Sequence, residues 1–249
     1  MRTNEIPIGK NRTGIELSPL DKRDMLEVTE MTTPSTLADG EALAQARAEF
    51  IQDAEVIGSV PPPASAKGVV TTGVAAIKGV KNTVWIDKLG ERLAFERTGI
   101  RLYEAVADKC EASEPLPLGP TLQELRHIQA EELAHFDLVR EAMSDLGADP
   151  TAMTPSADLA AVQSLGLIKV VRDARTSFKQ SLEAMLVAEL IDNDGWSLLI
   201  ELTRNAGNDE LAERFEAARV TEQEHLEKLR RWVRGATVAS EKPLAEPPA

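Results

Sequence analysis

Two Glu-x-x-His motifs could bind metal ions. Glu132 is followed three residues later by His135, and Glu222 is followed at the same spacing by His225. Residues three positions apart lie on one face of an α-helix, so each motif can direct a carboxylate and an imidazole to one point. These ligands favour iron or manganese over metals that prefer thiolates, and zinc is also compatible with them. The motifs therefore predict a metal centre wherever two helices bring them together.

Four stretches with apolar residues at helical spacing could position these motifs. They span residues 84–109, 121–146, 178–205 and 209–233. Short connections join the first to the second and the third to the fourth, so each pair should form an antiparallel hairpin. About thirty residues separate the second stretch from the third, enough for a crossover with a short helix near residues 158–171. The sequence thus predicts an all-α protein built on an antiparallel four-helix bundle with a long crossover between its second and third helices.

Each predicted helix carries a glutamate in the middle of its apolar, core-facing stripe. An ionised carboxylate removed from water costs several kcal/mol, and four of them would repel one another. Two divalent cations would balance four carboxylates, and two neutral imidazoles would complete the ligand set. A Glu from each of two helices with Glu-x-x-His from each of the other two is the pattern of di-iron and di-manganese carboxylate bundles. The candidate ligands are Glu96, Glu132, His135, Glu189, Glu222 and His225.

An internal repeat supports this choice of glutamates. Glu96 and Glu189 are 93 residues apart, as are Tyr103 and Trp196, and the two Glu-x-x-His motifs are 90 residues apart. The near-constant offset indicates a duplicated two-helix unit with the metal site on its pseudo-twofold axis. Neighbouring glutamates that lie off the stripes are disfavoured as ligands; these are Glu91, Glu104 and Glu183.

With these motifs the chain resembles the ferritin-like superfamily, and most closely its rubrerythrin-like branch. The resemblance covers about residues 84–233 and rests on Glu96 with Tyr103, the EELAH of residues 131–135, Glu189, and the EQEH of residues 222–225. The opening GKNRTGIELSPLDKRDML is also similar to the start of a group of bacterial ferritin-like proteins. The resemblance implies a ferritin-like bundle whose metal ligands are Glu96, Glu132, His135, Glu189, Glu222 and His225.

Two further residues have expected roles beside the ligands. Asp192 stands where rubrerythrins carry another carboxylate one turn beyond the third-helix glutamate, so the resemblance implies an alternate ligand despite its shorter side chain. Tyr103 is interpreted from its place on the stripe as a core aromatic whose hydroxyl can bond a ligand carboxylate, with electron transfer to the site as the alternative. Since Cys110 is the single cysteine, the sequence lacks the paired CxxC motifs of a rubredoxin module. Electrons would then come from an external donor.

Net charge and hydropathy narrow the classes of partner and the cellular location that we expect for this protein. With 28 basic and 41 acidic residues, the formal net charge is −13, which disfavours nucleic acid and anionic membranes as partners. The sequence shows neither a signal peptide nor an apolar run of about 18 residues, which predicts a cytoplasmic protein. Residues 1–83 are interpreted as an irregular N-terminal arm with one short helix at residues 41–54, residues 84–234 as the bundle, and residues 235–249 as a flexible tail.

These observations favour a di-iron oxidoreductase that oxidises Fe(II), reduces hydrogen peroxide or O2, or does both, in iron or oxidative-stress handling. Two iron ions are the expected cofactors, with a mixed Fe/Mn or a manganese centre as alternatives, and a homodimer is the expected assembly. Two other functions stay open. One is an oxygenase or oxidase that acts on a small organic substrate with the same metals, and the other is a structural or interaction protein with a vestigial metal site.

Overall fold

The computed structural model describes residues 14, 16, 18–32, 38–63 and 83–239. Within these ranges it contains seven helices and no β-strand, so the predicted all-α class is confirmed for this part of the chain. The helices are α1 (Pro19–Thr32), α2 (Ala38–Asp53), α3 (Thr83–Ala112), α4 (Leu122–Asp145), α5 (Pro155–Arg172), α6 (Phe178–Asn205) and α7 (Asp209–Ala239). None of these described helices combines the length and the apolar character that a membrane crossing requires.

Local sequence signals explain where the helices begin and end. The amide of Glu124 donates to Thr121 Oγ1 at 3.2 Å, and the amide of Thr121 donates to Glu124 Oε2 at 2.8 Å, which forms a capping box at the start of α4. Ser177 and Gln180 form a second capping box at the start of α6. After α4 comes Gly147, whose φ of 78° suits a glycine at a helix end. Helix α7 continues to Ala239, beyond the predicted end at residue 233.

Helices α3, α4, α6 and α7 correspond to the four predicted stretches and pack around a common core. Helix α3 contacts α4 and α6, and α7 contacts both α4 and α6, which closes a ring of four helices. Trp85 near the start of α3 donates from Nε1 to Thr203 Oγ1 near the end of α6, at 3.0 Å. The start of α3 therefore lies beside the end of α6, and the two helices run antiparallel. Gln129 of α4 donates to the carbonyl of Ile100 in the middle of α3, at 3.4 Å, which joins α4 to α3.

The buried apolar side chains form two clusters rather than one. The first includes Tyr103, Phe178 and Trp232, and the second includes Trp85 and Phe215. Along α4, α6 and α7, the buried glutamate, aspartate and histidine residues lie in sequence between the residues of one cluster and those of the other. On α3, the buried Glu96 follows Phe95, the residue with which the first cluster begins on that helix. The helices thus hold a polar layer inside an apolar core, where water has little access.

The crossover between α4 and α6 contains helix α5, close to the helix predicted at residues 158–171. Asp87 of α3 accepts from the amide of Ser156 at 2.8 Å and from its hydroxyl at 2.7 Å, so a carboxylate from α3 stabilises the start of α5. Thr154 accepts from the amide of Ala157 at 3.3 Å and donates to the carbonyl of Asp87 at 3.2 Å. These contacts attach the crossover to α3.

The N-terminal region contains more helix than the sequence analysis predicted. The predicted helix at residues 41–54 corresponds to α2, but α1 was not predicted. Helix α1 leaves large apolar side chains such as Leu20 and Met31 exposed, so it shows little of the one-sided burial that a periodic pattern would reveal. The chain divides into two compact units, Glu5–Ile57 and Gly58–Ala249 with Met1–Asn4. Residues 64–82 of the predicted arm and 240–249 of the predicted tail lie outside the described residues.

Two glycine-to-alanine substitutions should have opposite effects on stability. A Cβ at Gly90 of α3 would come within 2.5 Å of Thr154 Oγ1, whereas a Cβ at Gly166 of α5 would meet no atom within 4 Å. We expect Gly90→Ala to lower the free energy of unfolding by about 1–3 kcal/mol through crowding. Gly166→Ala should raise it by about 0.5–1 kcal/mol because alanine favours a helix. Urea unfolding of the full chain measures both, and equal effects would contradict the described packing of α3 against the start of α5.

Candidate metal centre

The six predicted ligands come together in the polar layer, and Asp192 joins them. They form three overlapping groups, and in each group the possible ligand atoms lie within 4.8 Å of one another. The groups are Glu132, Glu189, Glu222 and His225; Glu96, His135 and Glu222; and Glu96, Glu132, Asp192 and Glu222. We call these seven residues the acid–histidine cluster. The fold thus brings together side chains from all four bundle helices.

The whole cluster is removed from solvent. Glu96, Glu222 and His225 have an exposed fraction of 0%, and the most exposed member, His135, reaches 7%. His135 packs edge-on against Trp196, with ring centroids 5.6 Å apart. Surface acids are usually hydrated, so this degree of burial sets the cluster apart from the many acidic residues of this chain.

His225 is oriented by a residue that sequence reasoning did not select. Its Nε2 lies 2.9 Å from Glu131 Oε2, while its Nδ1 lies 3.2 Å from Glu222 Oε2 and 3.5 Å from Glu132 Oε1. With its proton on Nε2, His225 would donate to Glu131 and present the Nδ1 lone pair to the cluster. The signal for Glu131 was its place beside Glu132 in EELAH. His127, whose side chain is 67% exposed, lies outside the cluster.

Hydrogen bonds at Glu189 and at Asn193 hold α6 to α3 and to α7. The hydroxyl of Tyr103 donates to Glu189 Oε1, which is the contact expected of this tyrosine. The side-chain amide of Asn193 donates to the carbonyl of Glu189 at 3.0 Å and to the carbonyl of Glu222 at 3.1 Å. These bonds fix the Glu189 side chain from α3 and join the backbones of α6 and α7 beside the cluster.

Arg92 is a second residue that the sequence analysis missed. It is buried, its Nε lies 3.1 Å from Glu96 Oε1, and its Nη2 forms an ion pair with Asp192. Its Nη1 also donates to the carbonyl of Asp192 at 2.9 Å. The local signal was the spacing of four residues between Arg92 and Glu96, which places the two on one helix face. Such pairs usually lie on the surface, so the spacing alone did not predict burial.

Glycine at position 99 makes room for a cluster side chain. A Cβ at Gly99 would overlap the carboxylate of Glu132, so α3 can approach Glu132 of α4 only because this residue lacks a side chain. The small residue therefore sets the distance between the Glu96 helix and the first Glu-x-x-His motif.

Burial and mutual repulsion shift the protonation of the cluster. Burial raises the pKa of Glu96, Glu132 and Glu222 well above the usual range, and neighbouring carboxylates raise these pKa values further. Burial raises the pKa of Glu189 to about 7 and lowers the pKa of His135 to about 4. In the absence of a compensating cation the carboxyl groups thus tend to keep protons and the histidine tends to stay neutral.

Several buried polar atoms of the cluster make no well-formed hydrogen bond to the described residues, although some of them have close polar contacts. Glu96 Oε1 lies 3.1 Å from Arg92 Nε, and His135 Nδ1 lies 2.5 Å from Glu222 Oε1. The other oxygen of Glu96 and one oxygen of Glu189 also belong to this set. Buried polar atoms are normally satisfied, so such a concentration requires an explanation. Carboxylate oxygens and imidazole nitrogens that converge within a few ångströms are suitable ligands for a divalent cation. The residues present therefore fit a metal centre of the carboxylate–histidine type.

Comparison of the chain with models of protein families, with curated proteins and with solved structures finds no match. The resemblance to ferritin-like proteins therefore rests on the motifs in the sequence of this chain alone. The grouping of the candidate ligands in the structure does not depend on that resemblance.

The metal-free protein should become less stable as pH rises from about 4.5 through about 7. Glu189 has a pKa of about 7 when folded and an ordinary value of 4.5 when unfolded, so the folded state binds more protons between these values. Its stabilising contribution is complete below pH 4.5 and is lost as pH rises through 7. His135 shifts in the opposite direction but is outnumbered by the cluster carboxyl groups. The thermal midpoint of the chelator-treated chain measures the effect.

A matched pair of variants separates the effect of Glu189 ionisation on stability from the general electrostatic repulsion among the acidic residues of the chain. Glu189→Gln removes one buried titrating group and should reduce the pH dependence of the midpoint. Glu183→Gln removes the same charge from an exposed position on the same helix and should leave that dependence nearly unchanged. An equal change in the two variants, or a midpoint that rises with pH in the metal-free parent, would contradict the described burial.

Proposed function

We propose that α3, α4, α6 and α7 form a ferritin-like bundle that holds two iron ions in the acid–histidine cluster. A mixed Fe/Mn or a manganese centre is the alternative cofactor. In this proposal the protein oxidises Fe(II), with hydrogen peroxide or O2 as the oxidant. The observation that carries the proposal is the burial of four glutamates and two histidines, one or two from each helix, in overlapping groups whose possible ligand atoms lie within 4.8 Å of one another.

The charges of the cluster support two divalent ions rather than one. Arg92 contacts both Asp192 and Glu96 but carries a single positive charge. That charge offsets one of the five carboxylates, so four negative charges remain to be balanced. Four ionised glutamates and two neutral imidazoles carry a charge that two divalent cations balance. A single divalent ion would leave uncompensated negative charge in a buried layer, which is unfavourable in a medium of low polarity.

The three groups suggest how the ligands would be shared. Glu189 and His225 belong to one metal position, and Glu96 and His135 belong to the other. Glu222 occurs in all three groups and Glu132 in two, so these residues of the Glu-x-x-His motifs would serve both positions. This assignment uses each of the six predicted ligands once or twice.

Iron at these positions would supply the electrons, since reduction of one hydrogen peroxide to two waters takes two electrons and two protons, one electron from each Fe(II). The chain contributes the environment for this reaction. Two apolar clusters exclude water from both sides of the polar layer. Tyr103 holds a proton at its hydroxyl beside Glu189, and Glu131 keeps Nδ1 of His225 directed inward.

Anaerobic titration of the chelator-treated full chain with Fe(II) tests the proposal. We expect uptake of about two Fe(II) per chain, followed by consumption of about two Fe(II) per hydrogen peroxide added. Glu222→Ala should abolish uptake at both positions, because Glu222 occurs in every group. Glu183→Ala makes the same side-chain change at an exposed site on α6 and should bind as the parent does.

The outcomes also separate the proposed function from its alternatives. Unchanged uptake in Glu222→Ala would exclude the proposed ligands, and no uptake by the parent chain would exclude the metal centre. Uptake without consumption of oxidant would favour a non-catalytic, structural metal site. Oxidant consumption that begins only when an organic compound is added would favour the oxygenase.

Glu131 should affect metal binding without being a ligand. Glu131→Gln keeps the size of the side chain but weakens the acceptor that orients His225. We expect metal affinity to fall by about 10–100-fold while the stoichiometry at saturation stays the same. Competition with a chelator of known affinity measures the change, and Glu183→Gln, which makes the same substitution at an exposed position on α6, is the control. A lower stoichiometry in Glu131→Gln would instead make Glu131 itself a ligand.

A further inference from the structure

Arg92 occupies a built site beside the acid–histidine cluster. Its exposed fraction is 4%, and its guanidinium carbon lies 4.7 Å from the centroid of the Phe95 ring and 5.6 Å from that of Trp196. Helix α6 leaves room for it at Gly195, where a Cβ would come within 2.5 Å of Nη1. Two aromatic faces, a glycine and a backbone carbonyl together hold this side chain in one place.

The guanidinium lies on one side of the cluster. It contacts Glu96 at 3.1 Å and forms an ion pair with Asp192. On the other side, Glu189 accepts from the Tyr103 hydroxyl, and His225 lies against Glu131. The two metal positions of the proposed function therefore differ in their surroundings. The Glu96 position has a permanent positive charge beside it, and the Glu189 position is bordered by a neutral hydroxyl.

A guanidinium beside a ligand carboxylate opposes metal binding in two ways. It repels a divalent cation through a medium that screens charge weakly, and it competes for the same carboxylate oxygen. An arginine does not lose its proton in a protein, so this opposition cannot be relieved by deprotonation. Asp192 is drawn into the same ion pair and is thereby less free to approach a metal.

We propose that Arg92 weakens the metal position of Glu96 and His135 relative to that of Glu189 and His225, and that it retains Asp192 as its ion-pair partner. This inference rests on the proposed function, since it requires that the cluster binds two divalent cations. Arg92 is thus a positioning residue that makes the two positions unequal, and the Glu189 position fills first.

The two positions are compared with variants that keep one position each, because two cations repel each other wherever they bind. Glu96→Gln leaves the Glu189 position, and Glu189→Gln leaves the Glu96 position. The chelator-treated full chain is titrated anaerobically with Co(II), whose visible absorption reports binding. We expect Glu189→Gln to bind its single Co(II) at least about tenfold more weakly than Glu96→Gln does.

Removal of the guanidinium tests the cause of the inequality. Arg92→Gln should tighten the weaker Co(II) step at least about tenfold and change the tighter step by less than about threefold. Arg97→Gln loses the same charge from an exposed position on the same helix and should change neither step. If Arg92→Gln does not fold without metal, the Co(II)-loaded proteins are mixed with excess chelator instead. The faster phase of metal release should then be at least about tenfold slower in the variant.

The outcomes distinguish this inference from the proposed function. Uptake of less than one Co(II) per chain by the parent protein would overturn both. Equal affinities in the two single-position variants would overturn the inference and leave the metal centre in place, as would an unchanged weaker step in Arg92→Gln. A weaker step lost altogether in Arg92→Gln would also overturn it, because Arg92 would then support that position instead of opposing it.

Discussion

The burial of four glutamates in one layer is the constraint on which the rest of this structure depends. In water the ionised form of each carboxylate would be stabilised by hydration, but each of these side chains is buried where water does not reach it. The helices can close around the layer only if its charge is compensated by protons, by Arg92 or by bound cations. The raised pKa values of the glutamates and the ion pairs of the buried Arg92 both follow from this one requirement.

The apolar clusters on either side of the layer have complementary roles. They supply the free energy that keeps four helices together despite a polar centre, because burial of apolar side chains is the dominant favourable contribution to folding. They also keep the surroundings of the cluster weakly polar, which strengthens every electrostatic interaction within it. The stability of the bundle and the chemistry of the cluster are therefore set by the same arrangement of side chains.

The residues around the cluster act mainly by orientation. Glu131 determines which nitrogen of His225 faces inward, Tyr103 and Asn193 fix Glu189 and its helix, and Gly99 sets the distance to Glu132. Each of them acts on the position of a cluster side chain without belonging to the cluster. Arg92 differs because it adds charge, and it adds that charge to one side of the layer only.

The sequence by itself determined the helices of the bundle and the candidate ligands. A 3.6-residue apolar period, a capping box at Thr121 and glycines after the helices are local signals, and local signals act over a few residues. The same period placed one glutamate at the centre of each stripe, so Glu96, Glu132, Glu189 and Glu222 could be selected without a structure. Helix α1 was not predicted from the sequence because its apolar residues are not buried on one face.

Only the tertiary structure decided what surrounds those ligands. Arg92 meets the carbonyl of Asp192 across 100 residues of sequence, and Glu131 meets His225 across 94. Such contacts depend on how helices are rotated and offset against one another, which is a property of the packed core and not of any single helix. The sequence showed which side chains face inward on each helix. The packing alone decided that they meet at one level, and that a positive charge lies on one side of them.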